Sequence, residues 1–266
     1  MKLVACRDIP EIWPLIRRSG SYTDLSELQD EIACGKSAAV RARDDADAVA
    51  ILSRWREHLP IGWIKAFSGG RRPAEFAGHL GKYLLDRGFE AALSPLLRRG
   101  TEGCFARAGY REKEAISVMS LGRLTGICER GAAEIRSFAA GEEHSVLAVD
   151  WESFDEFWRL GMDELRGFLR ARFSFVAVLN GSIVGYNIVG VNAGRGILAR
   201  LAVSQRARGL GIGRQLVCMA INWFICEGAS TAILTTQAEN KPARSLYEEL
   251  GFRKVDELAL LWLWSE

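Results

Sequence analysis

Three β-rich runs in the second half of the chain, FSFVAVLN (173–180), IVGYNIVGVN (183–192) and ILARLAVS (197–204), are separated only by a Gly-Ser pair and by Ala-Gly-Arg-Gly. A parallel return needs a crossover of about a dozen residues or more, so connections this short force antiparallel hairpins and the runs form a meander. The stretch RARGLGIGRQLV (206–217) follows. It leads into a helix from about Gly211 to Glu227, a strand TAILTTQ (231–237), a helix from about Pro242 to Leu250 and a last strand ELALLWLW (257–264). Upstream, SVLAVD (145–150) reads as a short strand, and Phe154, Phe157, Trp158, Met162, Leu165, Phe168 and Leu169 recur at near-helical spacing through 151–170. The order β-α-β-β-β-α-β-α-β predicts an α/β (α+β) fold: a mixed, mostly antiparallel sheet flanked by helices.

Gly209, Gly211 and Gly213 carry no β-carbon, so the backbone takes positive φ freely and a ligand can come within van der Waals range of the main chain. The helix behind them offers unpaired N–H groups and the positive end of its dipole, which together favour phosphate. Taken alone, the stretch also suits a flexible turn entering a helix. Spacing excludes two nucleotide sites. A dinucleotide fingerprint, Gly-x-Gly-x-x-Gly, counted from Gly209 puts Arg214 in place of the third glycine and needs a βαβ unit where this chain has a meander. A Walker loop ends in Gly-Lys-Ser/Thr, which GIGRQ does not supply.

Arg208-x-x-Gly211-x-Gly213, set after the strand residues Leu201, Ala202 and Val203 and upstream of Asn-x-x-Ala-x-x-x-Tyr-x-x-x-Gly-Phe (240–252), resembles the GNAT superfamily of acyl-CoA-dependent N-acyltransferases. The resemblance spans roughly Ser145–Glu266. It implies that the loop residues Arg208, Gly209, Leu210, Gly211, Ile212, Gly213 and Arg214 bind the pyrophosphate of coenzyme A. It also implies that the main chain of Leu201, Ala202 and Val203 meets the pantetheine arm and the thioester carbonyl, where an N–H would stabilise the oxyanion as an amine attacks. Asn240 matches a pantetheine contact of the family, with an ordinary helix cap as its other reading, and Ala243 joins it among the cofactor-binding positions. Tyr247 matches the tyrosine that protonates the departing thiolate as a general acid. It lies on the apolar stripe Ala243, Leu246, Tyr247 and Leu250, so a tyrosine packed for its ring is the alternative. The cosubstrate so implied is acetyl-CoA, with no metal.

One departure concerns the general base. Many relatives place a glutamate on the fourth strand, but the ionisable residue of GILARLAVS is Arg200, which is no base at neutral pH. Glu239, Asp150, Glu152 and Tyr186 are candidates, and so is an amine deprotonated by bulk water.

An internal comparison extends the reading to the first half. DIPEIWPLI (8–16) aligns with SFDEFWRLG (153–161), and CFARAGYREKEAISVMSL (104–121) with LYEELGFRKVDELALLWL (246–263). Between them SAAVRA, AVAILSRW and GWIKAF read as another meander. Two tandem GNAT-like domains are expected: a degenerate copy over 1–121, a linker over 122–144 and a catalytic copy over 145–266. In the first copy SGGRRP (68–73) stands at the glycine loop, with Arg71 and Pro73 in place of Gly211 and Gly213, and Phe105 replaces Tyr247. Such a copy is expected to wall the acceptor site or mimic a dimer partner, giving a monomeric pseudo-dimer or a homodimer. Arg71 and Arg72 are still able to meet an anion.

The net charge of +2, from 35 basic and 33 acidic residues, leaves no electrostatic footprint for nucleic acid or an anionic membrane. The cysteines at 6, 34, 104, 128, 218 and 226 form no Cys-x-x-Cys, and with three histidines they suggest neither a metal site nor a disulfide framework. MKLVACRDIPEIWPL is broken by Arg7, Asp8 and Glu11, unlike a signal peptide, and no apolar run reaches the roughly 18 residues of a membrane span, so a cytoplasmic protein is expected. The expected reaction is acetyl transfer to a primary amine, on a small molecule or a protein N-terminus, by direct attack in a ternary complex. A non-catalytic acyl-CoA-binding sensor is the alternative; it would keep the loop and Asn240 without needing Tyr247.

Overall fold

The computed structural model describes residues 1–19, 22, 24–126 and 131–264, and it forms two compact units: residues 1–115 with the segment from Leu258 on, and residues 116–257. Cys128 lies outside the described residues; Cys6, Cys34, Cys104, Cys218 and Cys226 form no disulfide with one another.

Unit 1 contains β1 (Lys2–Leu3), α1 (Ile9–Ile16), α2 (Leu25–Ala33), β2 (Ser37–Arg41), β3 (Ala48–Arg54), β4 (Ile61–Gly69), α3 (Pro73–Leu85), β5 (Ala91–Leu93), β6 (Leu97–Arg98), α4 (Gly103–Arg107) and the start of β7 (Arg111–Leu121). Strands β1 to β4 pair antiparallel in sequence order, and β4 runs parallel to β5. Asp24 opens α2 by accepting the Glu27 N–H at 3.0 Å, and Pro73, with no N–H to satisfy, opens α3. The period of two in β3 sends Val49 and Ile51 to one face, against Ile9, Ile12, Ile16 and Leu28 of α1 and α2. Ala50 and Leu52 go to the other, against Phe76, Leu80, Leu84 and Phe105 of α3 and α4.

Unit 2 continues with β8 (Glu134–Ser137), α5 (Glu143–Ser153), α6 (Met162–Ala171), β9 (Phe173–Leu179), β10 (Ser182–Asn192), β11 (Arg195–Val203), α7 (Ile212–Cys226), β12 (Thr231–Gln237), α8 (Lys241–Glu249) and the start of β13 (Arg253–Trp264). The meander of β9 to β11 is antiparallel as the short turns require, β8 extends it, and β11 runs parallel to β12. Helices α5 and α6 cover one face through Val146, Val149 and Leu165 against Val176, Tyr186, Ile188 and Ala202. Helices α7 and α8 cover the other through Ile212, Leu216, Ile221, Phe224 and Tyr247.

Each sheet is closed by a strand from the other half of the sequence. Ile116–Leu121 of β7 pairs antiparallel with β12, from Ile116–Gln237 to Leu121–Ala232. The last strand, β13, pairs in unit 1 with β5 through Trp262–Leu93 and with β6 through Leu258–Arg98.

Two sequence readings are corrected. SVLAVD is helical, part of α5, with Val146, Val149 and Asp150 buried at a spacing of three to four; the strand that precedes the helices is β8, further upstream. The alignment of 8–16 with 153–161 fails, because the first is helix α1 and the second is largely the connection between α5 and α6, where Asp155 turns the chain by accepting the Trp158 N–H through its side chain.

Candidate active site

The loop after β11 is built as the glycines demand. Gly209 and Gly211 take φ of 79° and 74°, with nothing within 4 Å of where a β-carbon would stand. Gly211 is the left-handed residue from which α7 departs, and no side chain caps the first N–H groups of that helix. Gly213 serves packing. A β-carbon there would stand 3.2 Å from Leu246 of α8 and 3.8 Å from Val203 of β11. The three stretches singled out in the sequence therefore meet at Gly213.

Beside the loop, the sheet opens. The β10–β11 register slips at Ala199, which bulges between the Leu198–Val189 and Arg200–Ile188 pairs. The parallel ladder to β12 ends next to it, at Leu198–Leu234. Bulges bend and twist the strand that carries them, which accounts for the parting of β11 from β12 at this point. Ser204 N–H donates to Val184 O at 2.8 Å, so the bonds to β10 fall on Ala202 and Ser204. The N–H and C=O groups of Leu201 and Val203 then face the side from which β12 has withdrawn. The Val203 carbonyl accepts the Ser153 hydroxyl at 3.1 Å, which ties α5 to the end of β11.

At the start of α8, Asn240 Oδ1 accepts the Ala243 N–H at 3.2 Å. The cap reading is thus realised, and the side-chain NH₂ of Asn240 is what remains to meet a ligand. Tyr247 is 6% exposed and packs edge-on against Phe252 at 5.9 Å. Among the described residues its hydroxyl has no hydrogen-bond partner, and burial pushes its pKa above the ordinary phenol value, so the group is a protonated donor.

Two base candidates are consumed in a closed cluster. The fully buried Asp150 carboxylate accepts the Leu160 N–H at 3.0 Å, the Tyr186 hydroxyl, and Arg200 Nε at 2.5 Å. Arg200 also donates to Trp158 O at 2.8 Å and lies 3.8 Å over the Phe154 ring, riveting the α5–α6 connection to β11. Tyr186 is fully buried and burial raises its pKa, which keeps it a donor to Asp150. Glu152 and Glu239 are exposed. Sequence reasoning missed Asn187, whose Oδ1 accepts the Phe175 N–H at 3.0 Å and whose NH₂ donates to Leu216 O at 2.8 Å, pinning the meander to α7. Its signal was an amide in an otherwise apolar strand, IVGYNIVGVN. Among the described residues no group of three or more His, Cys, Asp or Glu is placed to hold a metal ion, and no helix is long and apolar enough to cross a membrane.

A family model described as "Acetyltransferase (GNAT) family" matches residues 143–252. These residues are a GNAT acetyltransferase domain. The GNAT domain is similar to the mycothiol acetyltransferase of Streptomyces avermitilis, 36% identical over 130 residues, or 44% of this chain and 42% of that protein. It is also similar to the N-alpha-acetyltransferase 30 of Schizosaccharomyces pombe, 35% identical over 96 residues, or 34% of this chain and 64% of that protein. The matches thus span less than two thirds of either relative. A tandem GNAT protein from the clavulanic acid biosynthesis pathway shares the fold at a TM-score of 0.75, covering 98% of this chain and 97% of that one at 12% identity.

Unit 1 repeats one local turn of the GNAT domain. After α8, Phe252 N–H returns to Tyr247 O at 3.0 Å across Gly251, at a φ of 91°. After α4, Tyr110 N–H returns to Phe105 O at 3.1 Å across Gly109, also at 91°. Phe105 holds in that turn the position that Tyr247 holds after α8, fully buried against Phe67 and Tyr110.

Proposed function

We propose that the GNAT domain transfers an acetyl group from acetyl-CoA to a primary amine, of a small molecule or a protein N-terminus, by direct attack in a ternary complex. The observation that carries this reading is Tyr247, a buried phenol with an unpartnered hydroxyl on the helix whose Leu246 meets the loop glycine Gly213. Acetyl-CoA brings a thioester whose carbonyl carbon bonds to the amine nitrogen while its C–S bond breaks. The N–H groups at the start of α7 hold the pyrophosphate, with Gly209 and Gly211 keeping the approach clear. The main chain of Leu201 and Val203 lines the opening beside β11 and offers N–H groups to the pantetheine amides and to the carbonyl oxygen as charge builds on it. Asn240 donates to the same arm. Tyr247 gives its proton to the departing sulfur and regains one when the attacking nitrogen sheds its own to solvent. Asp150 is saturated and Tyr186 is held as a donor, so neither takes the amine's proton. Glu152 and Glu239 stand exposed to solvent, and in this reading the amine is deprotonated by bulk water and enters already neutral.

The names of the two relatives support acetyl transfer as the reaction, and the free Tyr247 hydroxyl favours an enzyme over a sensor, which would have no use for it. The test is to titrate acetyl-CoA while following Tm, then to assay thiol release across a broad panel of amines. Thermal protection with thiol release for at least one amine is expected. Coenzyme binding with no thiol released by any amine would establish the sensor instead.

A further inference from the structure

The loop of unit 1 keeps the form of a phosphate cradle. Strand β4 ends at Gly69, Gly70 takes a φ of 58°, and α3 starts at Pro73, the strand, glycine turn and helix order of β11, Gly211 and α7. The bulge recurs as well: Lys65 stands between the Ile64–Leu52 and Ala66–Ile51 pairs, and the parallel ladder of β4 to β5 ends nearby at Trp63–Leu93.

This cradle is already filled. Asp45, from the β2–β3 connection, is 8% exposed and lies over the glycine turn. Its Oδ2 accepts the Arg71 N–H at 2.6 Å and its Oδ1 accepts the Asp47 N–H at 3.1 Å. The carboxylate comes so close to Gly70 that a β-carbon there would collide with Oδ2. The bond from Arg71 N–H is the main reason the Asp45 carboxyl is held below the usual carboxylate range, so the group is an anion at neutral pH. The adjacent Asp44 pairs with the Arg72 guanidinium, which also grips Glu75 at 2.9 Å. Where β4 leaves β5, Trp63 Nε1 donates to Ser94 O at 3.2 Å and bridges the parting strands.

We infer that Asp45 is an internal anion standing in unit 1 where a phosphate would lie, so that this copy takes no phosphate from solution and the chain binds a single coenzyme. The first part is independent of the function proposed above; the single coenzyme rests on it. A carboxylate tethered by the chain acts at high effective concentration, and an incoming diphosphate would have to displace it and then sit beside its charge.

The experiment uses the full chain with inorganic pyrophosphate as probe and Tm as readout. Gly211→Glu first fills the loop of the GNAT domain. The chain so blocked is expected to give no thermal shift with millimolar pyrophosphate, and adding Asp45→Ala to it should create one, a rise of several degrees at saturation. Asp45→Asn, which fills the same space and keeps an acceptor for Arg71 N–H but carries no charge, should give a rise smaller than that of Asp45→Ala. Should Asp45→Ala not fold, Asp45→Ser carries the same comparison. The inference is overturned if the blocked chain with Asp45 intact responds to pyrophosphate, if a folded Asp45→Ala or Asp45→Ser stays silent, or if the unaltered chain takes up two coenzymes. An unaltered chain that binds no coenzyme would sink the coenzyme reading of the GNAT domain, and the pyrophosphate comparison would still decide the role of Asp45.

Discussion

Tyr247, 6% exposed, carries a hydroxyl that has no protein partner among the described residues. Its removal breaks no hydrogen bond to those residues, so its loss carries little cost to the fold. Tyr247→Phe is therefore expected to leave Tm unchanged or slightly higher and coenzyme affinity intact, while kcat falls by about 10²-fold or more, measured as thiol release. The raised pKa fixes the pH dependence. The acid form is lost only as pH climbs past the ordinary phenol value of about 10 and never as pH falls, so the rate should rise with pH as the acceptor amine deprotonates. A descending limb below pH 10 that vanishes in Tyr247→Phe would contradict this assignment. Gly211 poses a different test. Asparagine tolerates the left-handed conformation better than other side chains, so Gly211→Asn should fold with nearly the original Tm yet bind coenzyme at least tenfold more weakly by calorimetry, because its side chain fills the cradle. Unchanged binding would mean that the loop has been misassigned.

The elements around the site depend on one buried ion pair. Asp150 belongs to α5, Tyr186 to β10 and Arg200 to β11, and together they hold the α5–α6 connection against the strand that lines the opening. Removing one partner of such a pair leaves a buried charge alone and typically costs about 3–5 kcal/mol. Arg200→Leu is expected to lower stability to denaturant by about that amount, and the double change Asp150→Asn with Arg200→Leu should recover part of it; additive losses would show that the pair is not coupled. The same elements show what was legible in the sequence. Helix α7, strand β12 and helix α8 were read to within about a residue at each end, since glycine turns, an asparagine cap and a proline in the first turn punctuate them. SVLAVD reads as a strand because it is short, apolar and rich in valine, and the helical period of α5 shows only once Val146 and Val149 have a core to face. Arg200 appeared only as a missing base, since nothing local announces that its partner lies 50 residues away in Asp150. The roles proposed for Leu201 and Val203 rest on the resemblance and not on their side chains, because they would be carried by main-chain groups whose direction depends on the bulge at Ala199.

At the scale of the molecule, the closing strands decide which parts can stand alone. Residues 116–121 complete the sheet of unit 2, which is the continuous stretch 116–257, and residues from Leu258 on complete that of unit 1, which is therefore not a continuous stretch of sequence. The exchange left no trace in the sequence, because both ISVMSL and ELALLWLW are apolar enough for a strand between neighbours, and register with a particular partner is a tertiary property. Its consequence for folding is that unit 1 cannot close until the last strand is available, a pairing of high sequence separation and hence slow. Ser94 anchors that strand through two bonds to Leu261, its N–H donating to Leu261 O at 2.8 Å and its hydroxyl accepting the Leu261 N–H at 3.0 Å. Ala259, Leu260 and Leu261 are almost fully buried there, and each leucine is worth about 1.5–3 kcal/mol of burial. A chain ending at Glu257 should thus lose most of the stability of unit 1 while retaining far more of that of unit 2. Amide hydrogen exchange checks it: protection should fall furthest at Ala91–Leu93 and around Phe105, and least at Leu198 and Leu234 in the ladder of the GNAT domain. Equal losses at both places would show that the two units unfold as one, and the last strand would then be a support for the whole chain and not the closing strand of unit 1.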